Sequence, residues 1–397
     1  MRRTPPLIRL FSLLYLSLGL NGYFVAQSER KPKEPKHFFK TTIFLDQYHR
    51  PKTALNQKEF VGAHLKNYSI DQTTLAFYTP LFTTNKYNKD STVNSNFHIL
   101  FTGNYLLLQP KFEGISNHNL IKYGFGIRAI YNTGKKSIFF FESSPFVTQD
   151  ATYTSESKFR MAGTLLWSYS PSDHYNFRLG ATRSFLWGNR YWLPFIGLRF
   201  GAIDKFNFSI QFPRIISLNM PISNKVRTSL FTKSQGGLFQ FSNRDTVYYI
   251  NNTGSSANTT EKTINFGRYE FLLGARVDVA ATRCWSFYLA TGFSTRNYIA
   301  FYSNGFNKDN KKSYSYFYND FPASTYFLNI GTVVRFGKTK SYYNNRNIYE
   351  AHDLNNTLDP GENNISPGNG DIPYTKKRKK ERVKPSEIQD LIDANDF

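Results

Sequence analysis

The sequence predicts an all-β protein, a transmembrane antiparallel β-barrel of about twelve strands (range ten to fourteen) with a disordered C-terminal tail. Three observations predict it. Phe and Tyr are abundant, 38 and 27 against 4 Trp and 3 Met in 397 residues, and such flat side chains pack well on pleated surfaces. The N-terminus has the layout of an export signal. Long segments alternate between apolar and polar residues with period two.

Composition narrows the class further. Hydrophobic residues make up 40% and the mean hydropathy is -0.47, too polar for a bundle of transmembrane helices. Cys284 is the only cysteine, which excludes an intramolecular disulfide, a thiolate metal cluster and a lipid-modified cysteine near the start. Within an apolar strand it reads as a small buried or lipid-facing residue. Arg2, Arg3 and Arg9 precede the apolar run Leu10 to Leu20, and Val25-Ala26-Gln27 follows. This is a secretory signal peptide over 1–26, cleaved after Ala26, although Phe24 stands where a small residue is preferred. The run is shorter than the ~20 apolar residues of a spanning helix. A mature chain that crosses a membrane must therefore do so with strands.

Residues 27–69 form an N-terminal segment in which 38–46 and 59–66 are apolar enough to pair. They read as two further strands, making fourteen, or as a plug. The predicted barrel occupies 70–337, with strands at 70–82, 95–108, 120–132, 136–146, 158–170, 174–187, 191–202, 205–213, 224–241, 264–280, 284–300 and 323–337. In 120–132, Tyr123, Phe125, Ile127 and Tyr131 alternate with Lys122, two glycines and Arg128. In 158–170, Phe159, Met161, Leu165, Trp167 and Tyr169 alternate with Lys158, Arg160, Thr164 and Ser168. Soluble strands usually run about 5–6 residues, whereas a tilted membrane strand needs about 9–11. Apolar faces ending in Tyr, Phe or Trp match the aromatic girdles of a bilayer, and the opposite faces suit a wet lumen. The alternative fold is a secreted β-sandwich or soluble barrel. Short turns at Asn132-Thr133-Gly134, Pro171-Ser172-Asp173 and Gly188-Asn189-Arg190 support hairpins. Longer polar loops are expected at 83–94, 242–263 and 302–322, all on one end.

The predicted phase points Lys122, Arg128, Arg160, Arg178, Arg199, Lys205, Arg276, Arg296 and Arg335 inward, against Glu142, Glu270 and Asp278. Basic rings favour anions in a pore, so a conducting barrel is expected to prefer them. The competing expectation is a salt-bridged network that fills a narrow, closed barrel. The formal net charge of +22 invites a nucleic-acid reading. An exported chain with basic residues spread along strands instead suits lipid phosphates at the outer surface. The partners implied are outer-membrane lipids, lipopolysaccharide and the barrel-assembly machinery, with no nucleic acid and no cofactor.

Catalytic motifs are absent. The histidines at 37, 49, 64, 98, 118, 174 and 352 show no metal-pair spacing, and no nucleophile elbow, phosphate loop or dinucleotide fingerprint occurs. Asp173-His174 beside Ser170 and Ser172 is the only hydrolase-like constellation, and groups in one turn rarely converge as a triad must. The expected role is passive small-solute passage or an envelope-structural one, in the outer membrane of a Gram-negative bacterium. Rival roles are surface binding through loops 242–263 and 302–322, or a barrel hydrolase.

The stretch Leu186 to Phe212, with Trp187-Gly188-Asn189-Arg190-Tyr191-Trp192-Leu193-Pro194-Phe195-Ile196-Gly197-Leu198-Arg199-Phe200 and then Phe206 to Pro213, resembles a family of Gram-negative outer-membrane β-barrels of unknown function. The resemblance covers about 70–337 and implies location and fold, with no activity or binding residues to carry over. Many such barrels stop at a terminal aromatic; here a tail, 338–397, follows Phe336. Its Asn, Gly, Pro and Asp cannot bury enough apolar surface to fold alone. After the basic block Lys376 to Arg382, Ser386 and Gln389 have capping-box spacing, and Ile388, Leu391 and Ile392 share a helical face. The tail reads as a flexible periplasmic segment ending in a short helix, without a role or docking a periplasmic partner.

Overall fold

A strand with one apolar and one polar face has two surfaces to place, and an open sheet would leave two edges unpaired. This chain satisfies both demands by closing into a barrel. The structure is a computed structural model. It describes residues 41–336 except 56–66, 88–92, 243–262, 307–311 and the turn positions 114–115, 134–136, 154–155, 173, 203–204, 224 and 283. The strands are β1 (Thr41–Ala54), β2 (Asn67–Tyr87), β3 (Val93–Phe112), β4 (Leu120–Asn132), β5 (Ser137–Asp150), β6 (Lys158–Ser172), β7 (Tyr175–Ser184) and β8 (Tyr191–Phe200). They continue with β9 (Asn207–Phe212), β10 (Ile215–Pro221), β11 (Val226–Ser242), β12 (Thr263–Ala280), β13 (Trp285–Phe306), β14 (Lys312–Asp320) and β15 (Thr325–Phe336).

Each strand from β1 to β13 pairs antiparallel with the next, β13 pairs with β15, and β15 returns to β1. The wall therefore has fourteen strands. β14 adds to the far half of β13 only, from Ile299↔Asp320 to Phe306↔Lys312. Thr41 and Phe336 pair at one end, so both chain termini of the barrel leave together. The longest connections, between β1 and β2 and between β11 and β12, stand at the other end. An even strand count with both termini on the short-turn side is the arrangement of bacterial outer-membrane barrels, whose termini are periplasmic.

All twelve expected strands are present. The count reaches fourteen by β1 and β10, and not by the expected pair 38–46 and 59–66, of which 59–66 lies outside the described residues. β1 reaches Ala54, so the barrel begins at Thr41 and not at 70. Adding β10 inverts the parity, so the β2–β3 hairpin turns at the periplasmic end, away from the β11–β12 connection. Nor is 302–322 a single loop, because β13 runs to Phe306 and β14 takes 312–320. The expected signal peptide, the tail 338–397 and residues 243–262 lie outside the described residues.

Candidate functional site

Within the wall the two faces differ as the alternation requires. Inward positions of β4 (Lys122, Arg128, Ile130, Asn132) are buried, whereas Tyr123, Phe125, Ile127 and Tyr131 are 41–58% exposed. On the outer surface Tyr131, Phe139, Trp167 and Trp285 ring the periplasmic end. Tyr123, Phe159, Trp192 and Tyr326 ring the other, with Ile127, Phe141, Leu165, Leu179, Leu230 and Leu289 between. An aliphatic belt bordered by two aromatic girdles is the surface of a barrel solvated by lipid. The chain is a membrane-spanning β-barrel of the outer-membrane type.

No protein-family description matches the chain, and no curated protein does. Among solved structures it is similar to an outer-membrane channel from Pseudomonas putida F1 (8% identity, 78% of this chain and 100% of that one, TM-score 0.37). It is also similar to a Pseudomonas aeruginosa FadL homologue (7%, 77% and 93%, TM-score 0.29) and to the β domain of a Bordetella autotransporter (11%, 75% and 100%, TM-score 0.28).

The interior is the candidate site. Eight-stranded barrels are filled by side chains and barrels of about 16–18 strands hold a channel; here long side chains span the intermediate width. Seven of the nine expected basic residues are buried on the inner face: Lys122, Arg128, Arg160, Arg178, Arg199, Arg276 and Arg335. Two correct the expectation. Lys205 is exposed because β9 starts only at Asn207; Lys205 belongs to the preceding turn, where its amide donates to Ala202 O at 3.1 Å. Arg296 is exposed because a left-handed φ of 48° inside β13 turns it outward. Ser294 and Asn297 are the inward neighbours there, three positions apart instead of two.

Buried charges survive only when paired and hydrogen-bonded, and the inner wall shows how. Arg128 donates from Nε to Glu142 Oε2 at 3.1 Å, and Ser144 Oγ donates to the other carboxylate oxygen at 2.7 Å. The same guanidinium lies over the rings of Phe140 and Tyr78. Arg276 pairs with Asp278, two residues along the same inward face, and sits 3.8 Å above the Tyr288 ring. The Tyr288 hydroxyl in turn donates to Asp46. Lys122 rests over Phe146 at 4.3 Å.

A third network centres on Glu270. Its carboxylate accepts from Tyr48 Oη at 2.6 Å, Gln235 Nε2 at 3.1 Å, Ser294 Oγ at 3.4 Å and Arg50 Nη1 at 3.4 Å. Arg268 Nη1 stands 3.7 Å from Glu270 Oε1. Arg268 is 1% exposed, yet none of its three guanidinium nitrogens has a hydrogen bond of acceptable geometry among the described residues. Arg50, Arg268, Arg227, Asp46 and Asp150 were not anticipated. Arg268 shares the period-two phase of Glu270 and Arg276, so alternation alone would have found it. Asp46 ends the candidate strand 38–46, whose faces the sequence reading did not assign, and Arg50 lies in the part of β1 beyond it.

Among the described residues, contacts cross the mouth opposite the termini. Upper β11 and β12 cross to the far wall, where Ser242 N donates to Asp150 Oδ2 at 3.0 Å. His118 Nδ1 pairs with the same carboxylate oxygen at 2.5 Å, and its ring stacks on Phe241 at 3.8 Å. Arg160 Nη2 donates to Asn265 Oδ1 at 2.8 Å, and Tyr302 Oη to Gly188 O at 2.9 Å. Gly188 has φ 73°, and a Cβ there would stand 2.9 Å from the Arg268 amide nitrogen. Gly188→Ala is therefore expected to cost about 1–3 kcal/mol, read as a lower urea midpoint of the refolded barrel.

The hydrolase-like constellation is described only in part. Ser170 is buried and its Oγ accepts from Asn176 at 2.8 Å, while His174 is exposed in the turn and Asp173 lies outside the described residues.

Proposed function

We propose that this barrel passes small solutes across the outer membrane with a preference for anions, and that the structure is its closed state. The observation that carries this is the balance of buried charge: ten basic side chains against six acidic ones among the described residues. A lumen with surplus positive charge lowers the barrier for anions. Outer-membrane barrels as a class contact membrane lipid and the barrel-assembly machinery; lipopolysaccharide phosphates are the partner this reading adds for the outward basic side chains.

The test is a single-channel recording of the refolded full chain in a planar bilayer with a potassium chloride gradient. The expected reversal potential has the sign of chloride preference, and Arg178→Gln with Arg199→Gln is expected to reduce it. A potential of the opposite sign overturns the proposal.

A further inference from the structure

We infer that the barrel interior holds a binding site for a small monovalent oxyanion, a carboxylate of about the size of formate, on the guanidinium of Arg268. The site rests on the passage reading for its purpose and on the chemistry of its own cluster for its existence.

The first observation is charge. Arg268 of β12 and Arg50 of β1 meet the same oxygen, Glu270 Oε1, at 3.7 and 3.4 Å, and all three side chains are at most 2% exposed. Among the described residues no second carboxylate reaches either guanidinium. The other contacts are neutral: Tyr48, Gln235 and Ser294 on Glu270, and Thr53 Oγ1 with Ala323 O on Arg50. Two buried cations share one anion, and a buried charge without a counter-charge is costly. One bound monovalent anion makes the cluster neutral.

The second observation is the donors. Glu270 already accepts from four groups, and Arg268 Nη1 stands beyond hydrogen-bond distance of it. Arg268 Nε, Nη1 and Nη2 are all buried and unbonded. So are Arg50 Nε and the hydroxyl of Tyr68, whose ring lies 5.2 Å from the Arg50 guanidinium carbon. Arg128 and Arg276 differ, because each donates from Nε to a carboxylate of its own. A buried donor without an acceptor carries its full desolvation cost.

The two observations together define the ligand. Nη1 of Arg268 faces Glu270, which leaves Nε and Nη2, the edge of the guanidinium that matches two oxygens of a planar oxyanion. Water would satisfy the donors and leave the charge. A divalent anion would carry one charge too many.

The test is equilibrium unfolding in urea of the refolded full chain in vesicles, with sodium formate replacing sodium chloride at constant ionic strength. Formate is present from refolding onward, so that it has access to the interior. A ligand that binds only the folded barrel lowers the unfolding constant by one plus the ratio of free ligand to its dissociation constant. Formate at about ten times that constant is expected to lower it about tenfold. Arg268→Leu is expected to abolish the dependence, and Arg268→Gln serves where the leucine variant does not refold. Lys205→Gln, which removes an exposed charge in a turn, is expected to respond as wild type does. Equal dependence in wild type and the Arg268 variants, or none in wild type, overturns the site. A sulfate response as large as that of formate overturns the assignment to a monovalent anion. Bilayer recording separates the site from passage. Anion-selective steps without formate dependence remove the site and keep passage, whereas Arg268-dependent formate binding in a silent barrel keeps the site and removes passage.

Discussion

Glu270→Ala is expected to destabilise the barrel by about 3–5 kcal/mol, the cost of removing one partner from a buried ion pair. Among the described residues the carboxylate is the sole acidic group of its network. Without it Arg50 and Arg268, both essentially unexposed, face each other with no counter-charge, and Tyr48 loses its acceptor. The measurement is equilibrium unfolding in urea of the refolded barrel in lipid vesicles. Glu270→Gln retains an acceptor for Tyr48 but no charge, and is expected to fall between wild type and alanine. Arg268→Leu in the Glu270→Ala background is expected to recover part of the loss, because it removes a guanidinium that already lacks hydrogen bonds. Additive losses in the double variant would show that the two residues do not share one network.

The two faces of the wall were legible wherever their chemistry differs sharply. In β4 and β6 the outward positions are mostly aromatic or aliphatic and the inward ones, Leu120, Ile130 and Leu166 apart, are polar, charged or small, so strand, phase and face all followed from alternation. β1 resisted for the opposite reason. It places Phe44 and Tyr48 inward and Gln47 and His49 outward, so the interior aromatic cluster and the polar outer rim blur the contrast. β10 is only seven residues, Ile215–Pro221, with Pro213 just before it and Pro221 at its end, and the sequence reading left this interval unassigned between strands 205–213 and 224–241. Missing it cost the parity of the loops, because one strand inverts every later end.

The interior charges followed from phase and failed only where phase itself failed. Lys205 lies before its strand starts, and Arg296 lies in a slip that sequence does not announce. The uneven upper edge of the barrel was not legible at all. It depends on which strands stop short beside which others, and β10 ends its ladder far from Arg296 and Phe321 in sequence. Only the register brings Lys233, Leu272, Ser294 and Thr325 into one row.

Leu165→Arg separates a lipid-solvated outer surface from a water-solvated one. Leu165 is 60% exposed within the belt, between the girdle residues Phe159 and Trp167 of its own strand and beside Phe141 and Ala181 on the neighbouring ones. In water an exposed leucine accepts arginine within about ±0.5 kcal/mol. At the bilayer midplane the same change costs about 2–4 kcal/mol, and near an interface about 0–1. The expected result is therefore a loss of about 2–4 kcal/mol for Leu165→Arg in vesicles. Phe159→Arg, six residues nearer the mouth on the same face of β6, is expected to cost less than half of that. Depth dependence along a single strand is the signature of a bilayer, because side-chain packing along one face gives no reason for the penalty to fall toward both ends. A uniform small effect at both positions would place this surface in water and remove the basis for passage across a membrane.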